Sequence, residues 1–373
     1  MSKKKIALTK KQQKQLKRAV KKNPVIFVVI SVLLVIAIAI GVAIYFLKNN
    51  NNGNGGKEHE PEPVVAGEVE INFLEFGNNS VGDATYIKIG DVDILIDSGS
   101  ARSCATTISD YIKNKMTDNK IEYVIATHAH GDHIPGFVGT DKNPGIFDRF
   151  EIGTIIQFSR TNATSSLYSE YCAKVESLKA TGTKVYGAQS LIESKNATFT
   201  IADGITLSIL DQRYYREYSD NENNYSVCAM LNHGNNHYLF TGDLATEGEV
   251  SLVSLNNLPK VQLYKGAHHG SYTSNTDTLL SVIQPEVVCI CTCLGTHQYT
   301  ENPDYVFPAR IVCETIHKYT DKVYITSSLI DGVYAPMNGN ITFKCSNGVD
   351  YTVHGSNNDT KLKDTDWYKA NRM

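Results

Sequence analysis

The run His128-Ala129-His130-Gly131-Asp132-His133 constrains this chain more than any other feature. Four side chains able to ligate a metal fall within six residues, directly after the β-type run Glu122-Tyr123-Val124-Ile125-Ala126-Thr127 and just before Ile134-Pro135-Gly136. A lone His-x-His is common and usually structural; four ligand-type residues packed behind a strand are not a common accident. Loops at strand ends on a rigid sheet are where chemistry is usually carried. Imidazoles and carboxylates clustered in this way suit Zn, Mn or Fe rather than Ca.

Around that run the pattern alternates between strand and helix. Glu68 to Phe76 alternates apolar and polar residues as a half-buried strand does, and 83–89 with 92–97 reads as a hairpin through Gly90-Asp91. Helices are expected over 104–117, 165–181, 246–256 and 275–283, and strands over 122–127, 154–158, 184–186, 198–202, 205–210, 226–233, 237–241 and 260–264. This is an α/β pattern of packed sheets covered by helices. From about Ser356 the chain is polar, and 356–373 is expected to be a disordered tail unless Trp367 and Tyr368 dock.

The N-terminal end is of another kind. Pro24 to Leu47 is an uncharged apolar run of about the ~20 residues that cross a bilayer core. Ten basic residues and no acidic one lie in 1–22, so the positive-inside bias places the N-terminus in the cytoplasm and the remainder outside. A cleaved secretory signal is disfavoured, because the run exceeds a typical h-region and Tyr45-Phe46-Leu47-Lys48-Asn49 offers no small-residue cleavage site. The expected organisation is a basic cytoplasmic segment (1–23), a transmembrane helix (24–47), an Asn-, Gly-, Glu- and Pro-rich tether (48–65), one globular domain (66–355) and the tail. After Lys48 the chain carries 25 basic and 39 acidic residues, a net charge near -14 that lowers the prior for a polyanionic substrate.

Eight cysteines outside the cytoplasm would invite disulfides, yet Cys289, Cys291 and Cys293 alternate within Val287-Val288-Cys289-Ile290-Cys291-Thr292-Cys293, which reads as a buried strand. Small apolar packing explains them better than a soft-metal site.

Further motifs flank the His run in order: Leu95-Ile96-Asp97-Ser98-Gly99 before it, then Leu239-Phe240-Thr241-Gly242-Asp243-Leu244 and Lys265-Gly266-Ala267-His268-His269-Gly270-Ser271 after it. Over residues 68 to 355 the sequence resembles the metallo-β-lactamase superfamily, and within it the hydrolase domain of ComEC-type competence proteins, which also fits Val81-Gly82-Asp83-Ala84 and Ile325-Thr326 followed by Asn340-Ile341-Thr342-Phe343. The resemblance implies a metallo-β-lactamase-like αββα sandwich holding two divalent transition-metal ions, zinc or alternatively manganese. It implies that His128 and His130 bind one ion, that Asp132, His133 and His268 bind the other, and that Asp243 bridges them. His269 is the alternative to His268. Asp97 would orient a ligating histidine, its plain alternative being a turn residue. Lys265 would either meet an anionic substrate or be a solvated surface lysine.

Two departures stand out. Where the superfamily often has another histidine before the strand leading to the bridging aspartate, this chain has Asn221-Glu222-Asn223-Asn224-Tyr225-Ser226, with Asn224 a candidate for contact with metal or substrate. An amide ligates zinc poorly, although the ComEC-like branch shares an Asn and Ser pattern there. Glu301-Asn302-Pro303 stands where a His before Pro is more typical of that branch.

Metals held in this way acidify a bound water and polarise the bond it attacks, so His128, His130, Asp132 and Asp243 would be catalytic, with Asp132 both ligand and orienter of the water. The expected function is a membrane-anchored, extracytoplasmic phosphodiesterase acting on a small phosphoester or a nucleic acid. A lactone, thioester or β-lactam hydrolase of the same fold is the first alternative, and a non-catalytic surface binding module the second. No G-x-S-x-G elbow surrounds Ser98 or Ser100.

Overall fold

The computed structural model describes residues 67–373. The expected transmembrane helix at 24–47, the basic segment before it and the tether to residue 65 lie outside the described residues. Among the described residues no helix is long and apolar enough to cross a membrane.

Two eight-stranded mixed sheets form the centre. The first runs, in spatial order, Asp350–Gly355, Ile341–Ser346, Glu68–Phe73, Thr85–Ile89, Val92–Ile96, Lys120–Ala126, Glu151–Gln157 and Lys184–Gly187. The second runs Val333–Ala335, Val323–Ile330, Val287–Leu294, Leu263–Lys265, Asn236–Phe240, Ala229–His233, Ile205–Ile209 and Thr198–Ala202. In the first sheet Thr85–Ile89 and Val92–Ile96 pair antiparallel, Thr85 opposite Ile96, with Gly90 at φ 55° in the turn between them. Val92–Ile96, Lys120–Ala126 and Glu151–Gln157 are parallel.

Residues of both sheets, among them Ile71, Ile87, Ile125, Leu207, Phe240, Cys289 and Phe343, share one buried cluster that also takes in Ile108 and Ile112 of helix Cys104–Lys113 and Tyr171 and Val175 of helix Ser166–Ala180. A second cluster joins the other face of the second sheet, through Leu239, Tyr264, Val288 and Ile290, to helices Thr246–Leu255, Asp277–Ile283 and Arg310–Ile316. The layering is helix, sheet, sheet, helix. Val287–Leu294 is buried at every position because it feeds both clusters: Cys289 and Cys291 face one, Val288 and Ile290 the other. A strand parallel to both neighbours and covered on both faces reads as a continuous apolar run. All eight cysteines are free thiols and seven are buried.

The C-terminal segment takes the second of the two expected courses, in which Trp367 and Tyr368 dock. Leu362–Asp364 makes a 3-10 turn and Asp366–Asn371 a short helix, with Leu362 and Tyr368 buried against Val312, Cys313 and Ile316. The Arg372 guanidinium donates to the carbonyls of Pro308 and Val306 and lies 4.5 Å from the Trp367 ring. The segment is polar overall, and two apolar anchors and one arginine suffice to hold it.

Candidate metal centre

The site forms where strand ends of the two sheets meet. Lys120–Ala126 delivers Thr127 and the His run, and the Thr127 carbonyl accepts at 2.9 Å from the N–H of Val227, just before the strand Ala229–His233 of the other sheet. Asp97 ends the neighbouring strand at φ 59°, a left-handed conformation that aspartate tolerates better than most residues. There its carboxylate accepts from the Thr127 N–H (2.8 Å) and hydroxyl (2.7 Å) and meets His133 Nδ1 at 2.8 Å. The loop after the run passes so close to Ser98 that a Cβ on Gly136 would lie 2.2 Å from the Ser98 carbonyl oxygen. Gly242, at φ 55°, turns the chain after Asn236–Phe240 to present Asp243, whose N–H donates to Ser226 Oγ at 3.1 Å. His268 and His269 are both left-handed (φ 49° and 54°), so their rings leave one short turn in different directions.

The buried Asp243 carboxylate is the hub. Its Oδ2 lies 3.1 Å from His133 Nε2, 3.4 Å from His269 Nε2, and 3.9 Å from both His128 Nε2 and His268 Nε2. His128 Nε2 meets His130 Nδ1 at 3.0 Å, and His269 Nε2 lies 3.4 Å from Asp132 Oδ2. Electrostatics divides the imidazoles. Burial disfavours charge on His133, but the Asp243 and Asp97 carboxylates outweigh it and raise its pKa well above the usual value; Asp243 and Asp83 do the same for His269. Burial and the neighbouring His133 hold His128 well below the usual range, and burial brings His268 down to about 4. Burial alone would raise Asp243, yet His133 and His269 hold it well below the carboxylate range.

The structure brings His128, His130, Asp132, His133, Asp243, His268 and His269 together. Both histidines of the His268-His269 pair aim at Asp243, where the sequence offered one or the other. His269 is on the buried side, its Nδ1 2.9 Å from the Cys291 carbonyl; His268 is on the open side, its Nδ1 2.9 Å from Thr273 Oγ1. Asn224 is turned away, its amide donating to Ser219 Oγ, while the Asn223 amide lies 3.4 Å from His268 Nε2. The 3-10 turn Glu222–Tyr225 decides which amide faces the centre. Lys265 is neither on the surface nor open to substrate: it is buried, its Nζ paired with Asp83 and 3.8 Å from Asp243 Oδ1. Asp83 is the residue that sequence reasoning left without a role, although it sits in the quoted Val81-Gly82-Asp83-Ala84 motif. Its ligand atom lies within 4.8 Å of those of His133, Asp243 and His269.

Asp83 Oδ1 and Asp243 Oδ1 are buried and accept no hydrogen bond. Buried carboxylate oxygens in that state, with the other oxygen of Asp243 facing four imidazole nitrogens, are a donor set that fits a divalent cation. A cleft of about 350 Å³ opens over the centre, lined by His130, Asp132, His268, Ser100, Gln298 and Tyr299. A polar network supports the His268-His269 turn from behind. Asn275 clamps the Ala267 backbone at both its N–H (2.8 Å) and its carbonyl (2.9 Å). Buried Glu249 in turn accepts from the N–H groups of Asn275 (2.6 Å) and Thr276 (2.8 Å) and from the Thr276 hydroxyl (2.6 Å).

Residues 77–139, which contain Asp83, Asp97 and the His run, match the family model described as Metallo-beta-lactamase superfamily. The match is to a metallo-beta-lactamase domain, and the described residues around it contain a buried His/Asp cluster able to hold metal. Over 106 residues it is 32% identical to Recombination protein 2 of Haemophilus influenzae, a match covering 28% of this chain and 12% of that protein. The chain thus spans only a small part of the length of that relative. Among solved structures it is similar to the metallo-beta-lactamase fold protein YhfI from Bacillus subtilis (12% identity, 75% of this chain and 100% of that one, TM-score 0.43). It is also similar to a diphosphatase from the PhnP family (9% identity, 75% and 98%, TM-score 0.41).

Proposed function

We propose that this chain is a metal-dependent phosphodiesterase, anchored in the membrane by residues 24–47 with its catalytic domain outside the cytoplasm, acting on a small phosphoester or a nucleic acid. The observation that carries the reading is the gathering of four imidazoles within 3.9 Å of the Asp243 carboxylate, beside a cleft into which Asp132 opens. His128 and His130 would hold one divalent ion, Asp132, His133 and His269 a second, and Asp243 both; zinc and manganese suit these donors. Such ions supply the Lewis acidity that makes water a nucleophile at neutral pH and polarises a phosphoryl oxygen.

The protein's own groups do the rest. Asp97 holds the His133 ring so that Nε2 points inward, and the Cys291 carbonyl does the same for His269. Asp132 is the carboxylate placed to orient a water in the cleft. Ser98 is not a nucleophile, because its hydroxyl donates to the His133 carbonyl at 2.8 Å and accepts from the Phe137 N–H at 3.0 Å. Burial pushes the Cys289 and Cys291 thiols far up, which keeps them uncharged and unreactive.

The test is turnover by the metal-supplemented full chain on bis-p-nitrophenyl phosphate, a chromogenic cephalosporin, a lactone and single-stranded DNA. Cleavage of the phosphodiester without the cephalosporin or lactone is expected. Cleavage of only the latter two moves the assignment to acyl chemistry, and no turnover with metal bound leaves a binding module.

A further inference from the structure

We propose that Tyr299 is a substrate-contacting residue of this site, its phenol donating a hydrogen bond to an oxygen of the phosphoryl group. The inference rests on the phosphodiesterase reading and names the group that meets the substrate from the protein side. A phosphodiester in the cleft brings negative charge, yet among the described residues no lysine or arginine lines it. The lysine nearest the centre, Lys265, is buried and committed to Asp83. From this wall the described residues offer neutral donors, and Tyr299 is placed to meet a phosphoryl oxygen on the side away from the metal-binding histidines.

Its hydroxyl reaches 3.3 Å from Asp132 Oδ2, the carboxylate that opens to the cleft, while more than half of the residue stays exposed. The position is built rather than incidental. Gln298 Nε2 donates to the Tyr299 hydroxyl at 3.0 Å, and Gln298 Oε1 is pinned by the Val81 N–H at 2.9 Å, two residues before Asp83. The Tyr299 ring packs edge-on against Phe307 at 6.0 Å. Because the hydroxyl accepts from Gln298, its own hydrogen is directed outward, to Asp132 or to a ligand above it. No proton is transferred: the phenol donates a hydrogen bond that strengthens as charge builds on the oxygen it meets.

Tyr299→Phe removes the oxygen and keeps the ring. In the metal-loaded full chain, metal content and melting temperature should match wild type. The kcat on bis-p-nitrophenyl phosphate should fall about tenfold to a hundredfold with a smaller change in KM, and the Kd for inorganic phosphate should rise severalfold. Gln298→Ala, which leaves the phenol but removes its support, should give a smaller loss of the same kind. Unchanged kcat and unchanged phosphate Kd in Tyr299→Phe would overturn the proposal, as would a wild type that binds no phosphate. If wild type binds phosphate but cleaves nothing, a weaker Kd in Tyr299→Phe upholds the contact while the hydrolase reading fails.

Discussion

Asp97 Oδ2 lies 2.8 Å from His133 Nδ1, and the same carboxylate accepts from the Thr127 N–H and hydroxyl. One side chain therefore fixes both where the His run begins and which nitrogen of its last histidine faces Asp243. Carboxylates behind a ligating histidine commonly govern metal affinity. Asp97→Ala should weaken metal binding by roughly 10- to 100-fold. Competition against a chelating indicator measures this, and an unchanged affinity would reduce Asp97 to a turn residue.

Lys265 and Asp83 form a buried ion pair at the edge of the centre. Lys265→Met should destabilise the protein, by less than the roughly 3–5 kcal/mol of a wholly unpaired buried charge, because Asp83 loses the lysine and keeps only its contact with His269. Lys265→Met combined with Asp83→Asn should recover much of that loss. Chemical denaturation of the two variants and of Asp83→Asn alone measures the coupling, and additive effects would show that the two groups do not act as a pair.

Glu249 gives a pH signature away from the centre. Burial, only partly offset by its hydrogen bonds to Thr276 and Asn275, pushes its pKa up to about 7 from 4.5. The folded state then holds this proton more tightly than the unfolded state. The contribution is fully present below about pH 4.5 and is lost as pH rises through about 7, flattening above it. Thermal melting of wild type against Glu249→Gln from pH 5 to 8 should show a difference whose slope is confined to that window; a difference independent of pH would contradict the assignment.

Asn275 should act on the site without touching it. It clamps Ala267 at both polar backbone atoms, and the two left-handed histidines follow at once. Asn275→Ala should lower metal affinity more than Asn275→Asp, which can still accept from the Ala267 N–H. Equal affinities in the two variants would make the clamp irrelevant to the histidines.

Much of this arrangement was legible in the sequence, and what was not has identifiable causes. Local pattern was enough for the hairpin at Gly90, the strand feeding the His run, Asp243 after Asn236–Phe240, and helices such as Thr246–Leu255. Whatever depended on contacts remote in sequence stayed hidden. The burial of Lys265 requires Asp83, 182 residues earlier. The inward aim of both His268 and His269 depends on two successive left-handed residues, and the choice of Asn223 over Asn224 on a single 3-10 turn. The docked C-terminal helix has few apolar residues, so its sequence left docking and disorder both open, and its partners lie on Arg310–Ile316 and the loop before it.

Whether Asp243 organises a metal centre is decided by elemental analysis of the full chain and of Asp243→Ala. Wild type should carry about two divalent transition-metal ions per chain, and Asp243→Ala should remain folded with clearly fewer, since the Asp243 carboxylate is the one toward which four imidazoles converge. A folded wild type that takes up no metal after supplementation, or an Asp243→Ala protein with undiminished metal, would contradict it.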